Sequence, residues 1–261
     1  MGFVKTMDEI TENLLGTFDF YDAEMLTIFF ETKFEVINRL IPPPLEPGSE
    51  PNGMVFVANY PKTNFGVSYL ESALFLNVKY HEDEGVYCLS MPVSNDMAMV
   101  GGRETFGYPK KIGEIFFERQ GNDVRGWTER RGTRFLDISA KLTGKFNDDM
   151  AQSKIMERFV ENIVFVVYNY KYFLSPDLVG FDYNPRLIKE VVKFNPKTVQ
   201  IGEAQLELKS SPHDPWGDVD VVKVLGAVYT VGDNTMMPGI VAAEVDQTEF
   251  IPYALMKVDS I

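Results

Sequence analysis

Two adjacent lysines, Lys110 and Lys111, follow Tyr108-Pro109 in a stretch otherwise poor in polar groups, Gly102-Arg103-Glu104-Thr105-Phe106-Gly107-Tyr108-Pro109-Lys110-Lys111. A lysine in apolar surroundings or beside a second cation gives up its proton more readily, and the free amine can then attack a ketone to form a Schiff base. The plainer reading is a solvated surface pair, because lysine is seldom buried without a partner. Glu71, in Ser68-Tyr69-Leu70-Glu71-Ser72, alternates with Tyr69, Ala73 and Phe75. On a strand that spacing sets one carboxyl on an apolar face, a setting suited to proton transfer; an edge or surface glutamate is the alternative. Arg103 and Glu104 read either as an ion pair that sets the loop or with Arg103 as the partner of a substrate carboxylate.

Other chemistries find little support. The glycines at 102 and 107 have phosphate-loop spacing, but Tyr108-Pro109 stands where Lys and Ser or Thr should follow. No nucleophile elbow, H-E-x-x-H or G-x-G-x-x-G after a strand occurs, which removes the common hydrolase, metalloprotease and dinucleotide signatures. His81 sits in an acidic turn and reads as solvated, and Cys88 reads as a small buried hydrophobe within a strand. A lone cysteine cannot form an internal disulfide, and two histidines leave too few ligands for a zinc or iron–sulfur site. We therefore expect a cytoplasmic, metal-free protein. With 38 acidic and 25 basic residues the chain carries a net charge of −13, and no basic block could track a phosphate backbone, so nucleic acid is excluded as a partner. The longest apolar run, Ile163 to Tyr168, is far short of the ~20 residues that cross a bilayer, so no membrane association is expected.

The elements that must position these groups are mostly strands. With 45% hydrophobic and 24% charged residues, 261 residues can bury a large core, and no linker splits them, so one domain over 1–261 is expected. Strands are expected over 23–33, 53–60, 67–80 and 86–93, in hairpins turning near 120–122 and 131–133, and over 204–209 and 218–229. Helical spacing is expected over 34–41 and 148–162, with an extended connector at Pro42-Pro43-Pro44 and a break in the pattern over 95–111. These elements amount to a mainly β, single-domain antiparallel β-barrel or conical sheet with a few short helices.

The stretch GGRETFGYPKK resembles the signature of the acetoacetate decarboxylase family, and Ser68-Tyr69-Leu70-Glu71-Ser72 resembles its glutamate-bearing strand, in register with it. Weaker likeness at Pro43-Pro44-Leu45-Glu46 and Lys171-Tyr172-Phe173-Leu174 extends it over most of the chain. The resemblance implies that Lys110 forms the imine, that Lys111 flanks it electrostatically and that Glu71 moves the proton. It implies no cofactor, a small oxo-acid substrate and a homo-oligomer, with decarboxylation as the family reaction. Relatives on this scaffold use the imine for pyruvate aldol condensation with dehydration or for hydration of unsaturated 2-oxo acids. Two positions depart from the decarboxylase pattern: Ala23 stands in place of an active-site arginine and Phe56 in place of a second glutamate. Both changes alter how a substrate carboxylate is held, and losing the arginine removes a bidentate partner. Tyr253, beside Pro252, is a replacement proton donor or water-orienting group, or else a core tyrosine. The rival from another class is a non-catalytic barrel holding a small hydrophobic ligand, which would account for the many Phe, Tyr and Met side chains without a reactive Lys110.

Overall fold

The computed structural model describes residues 2–12, 16–159, 163–177 and 179–259. A short helix, α1 (Met7–Glu12), leads into β1 (Phe18–Glu31), and α2 (Phe34–Leu40) separates it from β2 (Asn52–Tyr60). The hairpin β3 (Tyr69–Tyr80) and β4 (Asp83–Val93) is followed by α3 (Asp96–Gly101), a π-helical turn at Gly102–Phe106 and the short strand β5 (Lys110–Ile112). A meander follows, of β6 (Glu114–Gln120), β7 (Asp123–Arg130) and β8 (Thr133–Lys141), then α4 (Asp149–Met156) and β9 (Ile163–Lys171). The chain finishes with β10 (Arg186–Leu208), β11 (Lys223–Met236), β12 (Ile240–Glu244) and α5 (Gln247–Phe250).

Seven strands close into a barrel in the order β9-β4-β3-β2-β1-β11-β10, and β10 pairs back onto β9 from Ile163↔Phe194 to Lys171↔Arg186. All of these neighbours are antiparallel except β9 and β4. The second half of β10 leaves the barrel and carries β8, β7 and β6 as a sheet laid against the outer wall. Contact there is close enough that a Cβ on Gly126 of β7 would lie 2.7 Å from Val57 of β2. The architecture is the mainly antiparallel barrel expected, with few and short helices.

The overlying sheet explains why β1 to β3 read as nearly continuous hydrophobic runs. A strand buried on both faces loses the polar half of its alternation. In β1, Leu26, Ile28 and Phe30 are fully buried in the core beneath the overlying sheet, together with Val55, Val57, Phe135 and Ile138. Each such side chain contributes roughly 1.5–3 kcal/mol by leaving water. Ala23, Met25, Thr27 and Phe29, the alternate set, face the barrel interior.

Several boundaries differ from the sequence expectation, each for a local reason. The proline connector is a turn rather than an extended spacer, with the Leu45 N–H donating to the Pro42 carbonyl at 3.2 Å. The segment after Asn95 is helical, because the Asn95 side chain caps α3 by accepting from the Ala98 N–H at 3.0 Å. The helix expected over 148–162 ends earlier, as α4 followed by a 3-10 turn at Glu157–Phe159; residues 160–162 lie outside the described residues. The strand expected over 204–209 is the tail of the 23-residue β10, in which Pro196 is accommodated at a register shift between Pro196 and Thr198. β11 starts at Lys223 rather than 218, after a 3-10 turn at Trp216–Asp218. No helix among the described residues is long and apolar enough to cross a membrane.

Candidate active site

Lys110 is carried by β5, which pairs in parallel with β4 through Met91↔Lys110 and Val93↔Ile112. The turn before it is built for close approach. Gly107 closes the π-helical turn with φ +86°, and a Cβ there would sit 2.5 Å from the Tyr170 carbonyl. Gly102 packs directly on the lysine, where a Cβ would meet its Cε at 2.7 Å. A π-helical turn at this point fits the recurrence of such irregularities at functional sites.

Lys110 is only 6% exposed, and its Nζ donates to Glu71 Oε2 at 2.8 Å. Glu71 projects from β3 into the same cavity and is 4% exposed. The amine also stands 5.5 Å from the Tyr69 ring centre and 5.6 Å from that of Tyr108, within cation–π reach of both rings. Tyr60 donates its hydroxyl to Glu71 Oε1 at 3.5 Å. Burial first, and then the Glu71 charge, push the Tyr60 and Tyr69 hydroxyls well above the ordinary phenol value, so both remain neutral donors. The arrangement can hold a lysine proton, pass it to a carboxylate and receive a carbonyl carbon in a site largely closed to water.

Ala23 and Phe56 both line this cavity, and Phe56 packs on Phe75 with ring centres 5.8 Å apart. Apart from Lys110, no lysine or arginine contributes to its wall among the described residues.

The other expected site residues lie elsewhere. Lys111 does not flank the Lys110 amine, because neighbours on a strand point to opposite faces. It donates to the His213 carbonyl at 2.6 Å and lies 3.5 Å from both Asp214 and Asp259. Arg130 completes that cluster, meeting Asp214 at 2.6 Å and Asp259 at 3.0 Å and donating from Nε to the Ile112 carbonyl at 2.7 Å. The ion cluster thus fastens β5 from behind. Tyr253 lines a pocket on this outer side with Lys111 and Trp216, not the Lys110 cavity, because it sits on the 3-10 helix Ile251–Lys257 with its ring against Phe250. Arg103 lies near Tyr172 and Lys257, and among the described residues it forms no ion pair with Glu104. It does not line the cavity either.

Sequence reasoning missed Glu190, on β10 opposite Val167. It is fully buried, neither carboxylate oxygen has a hydrogen-bond partner among the described residues, and the Asn169 amide is equally unpartnered. Burial raises the Glu190 carboxyl to about 7, and the nearby Tyr108 hydroxyl and Lys110 charge offset only part of that. Its alternation with Ile188 and Val192 was the available signal, though a charged residue in such a run reads equally well as solvent-facing. Below about pH 4.5 the carboxyl is protonated folded and unfolded alike; between about 4.5 and 7 only the unfolded chain ionises, so stability falls as pH rises. Above about 7 the penalty is complete, on the order of 3 kcal/mol. Glu190→Gln is therefore expected to be the more stable protein at pH 8 and to lose most of the decline between pH 5 and 8, measured by urea unfolding. Parallel pH dependences in the two proteins would refute this.

A profile of the family described as acetoacetate decarboxylase matches residues 7–245. Among curated relatives, the chain is 27% identical to the CLA biosynthesis isomerase of Lactiplantibacillus plantarum, covering 88% of this chain and 84% of that protein. The solved structure described as structural studies of acetoacetate decarboxylase superposes with a TM-score of 0.77 at 19% identity, over 92% of this chain and 99% of that one. The enduracididine biosynthesis enzyme MppR, solved with the condensation product of pyruvate and imidazole 4-carboxaldehyde, superposes with a TM-score of 0.71 at 16% identity, over 88% and 90%. These last two likenesses concern the fold.

Proposed function

The chain belongs to the acetoacetate decarboxylase family, and from that premise we propose that it is an imine-forming lyase in which Lys110 is the nucleophile and Glu71 the proton carrier. The observation that carries this reading is the buried Lys110–Glu71 pair, 2.8 Å apart, in the wall of an apolar cavity. One proton passes from the ammonium to Glu71 and frees the nitrogen lone pair, which bonds the ketone carbon. Glu71 returns that proton to the oxygen and then relays a second from the nitrogen of the carbinolamine, so that the oxygen leaves as water and the nitrogen keeps one hydrogen as an iminium. The iminium then draws an electron pair from the adjoining carbon. In a 3-oxo acid the bond to the carboxylate breaks, carbon dioxide leaves, and the resulting enamine takes a proton from Glu71 or water before hydrolysis. In pyruvate Glu71 removes a methyl proton, and the enamine adds to an aldehyde, which subsequently loses water; hydration of an unsaturated 2-oxo acid is a third use of the same imine.

The cavity wall favours the proton-transfer courses over decarboxylation of a short oxo acid. With Ala23 and Phe56 in place, no guanidinium among the described residues lines the cavity to hold a carboxylate out of the imine plane. Two of the proteins compared above carry names in keeping with this, an isomerase and an enzyme that binds an aldol-type condensation product. The test joins three readings on one sample. Pyruvate in deuterated water is expected to exchange its methyl protons, and sodium borohydride to fix one pyruvate on the peptide containing Tyr108 to Lys111. Acetoacetate should release carbon dioxide only slowly. An adduct on Lys111 alone, or none, would sink the imine; brisk decarboxylation without exchange would restore the ordinary family activity.

The same reading places the enzyme in the cytoplasm as a homo-oligomer. Cys88 is buried and unpaired, in keeping with a reducing compartment. The edge strand β12 presents Ile240 and Val241, 61% and 54% exposed, as a surface for a second copy.

A further inference from the structure

Beyond the amine the cavity continues down the barrel. Successive rungs of the wall are Met25, Ala58 and Glu71, then Thr27, Phe56 and Ala73, then Phe29, Met54 and Phe75. The four-residue step from Glu71 to Phe75 spans roughly 13 Å, and below Glu71 the only polar side chain on these rungs is Thr27. Phe29, Met54 and Val86 also line an outer pocket beside α4, so they form the partition at the far end of the shaft. The cavity has a volume of about 130 Å³, close to the ~150 Å³ of an engineered apolar cavity that stays dry and takes up benzene.

A short oxo acid held at Lys110 would not reach the Phe29–Met54 rung, two steps along the strands from Glu71. Its carboxylate would meet no cation other than Lys110, and an uncompensated charge in an apolar shaft is costly. A substrate that filled the shaft would instead recover contact with Met25, Phe56, Phe29 and Met54. Methionines at 25, 54, 91 and 236 make the wall adaptable to the shape of what it holds.

Resting on the imine reading, we propose that the substrate is a ketone or enone bearing an apolar chain or ring of about six carbons, with its carbonyl at Lys110 and its apolar part in the shaft toward Phe29 and Met54. The Lys110 nitrogen bonds the carbonyl carbon and the oxygen leaves as water. Added cyanoborohydride supplies a hydride to the iminium carbon and leaves a secondary amine that mass spectrometry detects on the intact protein.

The experiment compares 2-butanone, 2-hexanone, 2-octanone and pyruvate under this reagent. The half-saturating concentration is expected to fall about fourfold for each added methylene, with pyruvate weaker than 2-octanone. Thr27→Trp, which fills the middle rung, should flatten that series. Met54→Ala, which opens the partition, should move the plateau to longer chains, and it keeps the test decisive should the tryptophan variant fail to fold. A flat wild-type series, or pyruvate the best ligand, would overturn the apolar-chain substrate while leaving the imine intact. No adduct from any carbonyl compound would remove the imine itself, and this inference with it.

Discussion

Lys110→Arg is expected to abolish both turnover and hydride trapping. Arginine preserves the charge and most of the length, so the ion pair with Glu71 can persist, but a guanidinium does not release the proton that a nucleophile must lose. The loss should be on the order of 10⁴-fold or more, because no other lysine or arginine among the described residues lines the cavity. Glu71→Gln keeps the shape and removes the proton acceptor 2.8 Å from the amine, so a fall of about 10²–10⁴-fold is expected in methyl exchange. Lys111→Gln should still form the adduct on Lys110, since Lys111 faces the Asp214–Asp259 cluster behind the strand. Intact-mass and peptide measurements on the three variants separate these roles. Undiminished trapping in Lys110→Arg would refute the assignment.

The largest effect on stability is expected from Arg130→Met. Arg130 holds Asp214, whose side chain is 1% exposed, at 2.6 Å, and its removal leaves that carboxylate with Lys111 3.5 Å away. Breaking a buried pair from one side costs about 3–5 kcal/mol, since the remaining charge stays desolvated. For a chain of this size that corresponds to a fall of roughly 10 °C in the unfolding midpoint, measured by circular dichroism. Arg130→Lys should recover part of it by restoring the charge without the fork. A shift of less than about 1 °C would mean that the cluster contributes little. Because Arg130 also holds the Ile112 carbonyl, the methionine variant should trap carbonyl compounds more slowly even below its unfolding temperature.

How far the sequence carried these conclusions depended on the kind of signal each residue gave. Lys110 and Glu71 were legible because two short motifs lay in register, and the barrel was legible because its strands are apolar over long stretches. The direction of Lys111 was also available, since consecutive strand residues diverge, but the family pattern drew both lysines to one site. Tyr253 and Arg103 could not be placed, because what they touch is decided by a short 3-10 helix and a π-helical turn whose packing leaves no periodic trace. β10 was read only over 204–209, because the stretch before it shows no clean alternation and Pro196 falls at a register shift within one continuous strand. Glu190 gave only an ambiguous alternation for a related reason: its burial comes from barrel closure with β9, a contact between segments that local spacing does not report.

The pairing of β1 with β11 has a consequence for the order in which the protein is made. Phe18 lies against Met236, so one edge of β1 waits for a partner until roughly 200 further residues have been made. At about 5–20 residues per second the interval between residues 31 and 236 is roughly 10–40 s. Throughout it the nascent chain presents an unsatisfied strand edge flanked by Leu26, Ile28 and Phe30, a template for pairing with a neighbouring chain. Vectorial synthesis therefore leaves closure of this seam as a late event, after the strand that pairs with Phe18–Glu31 has been made.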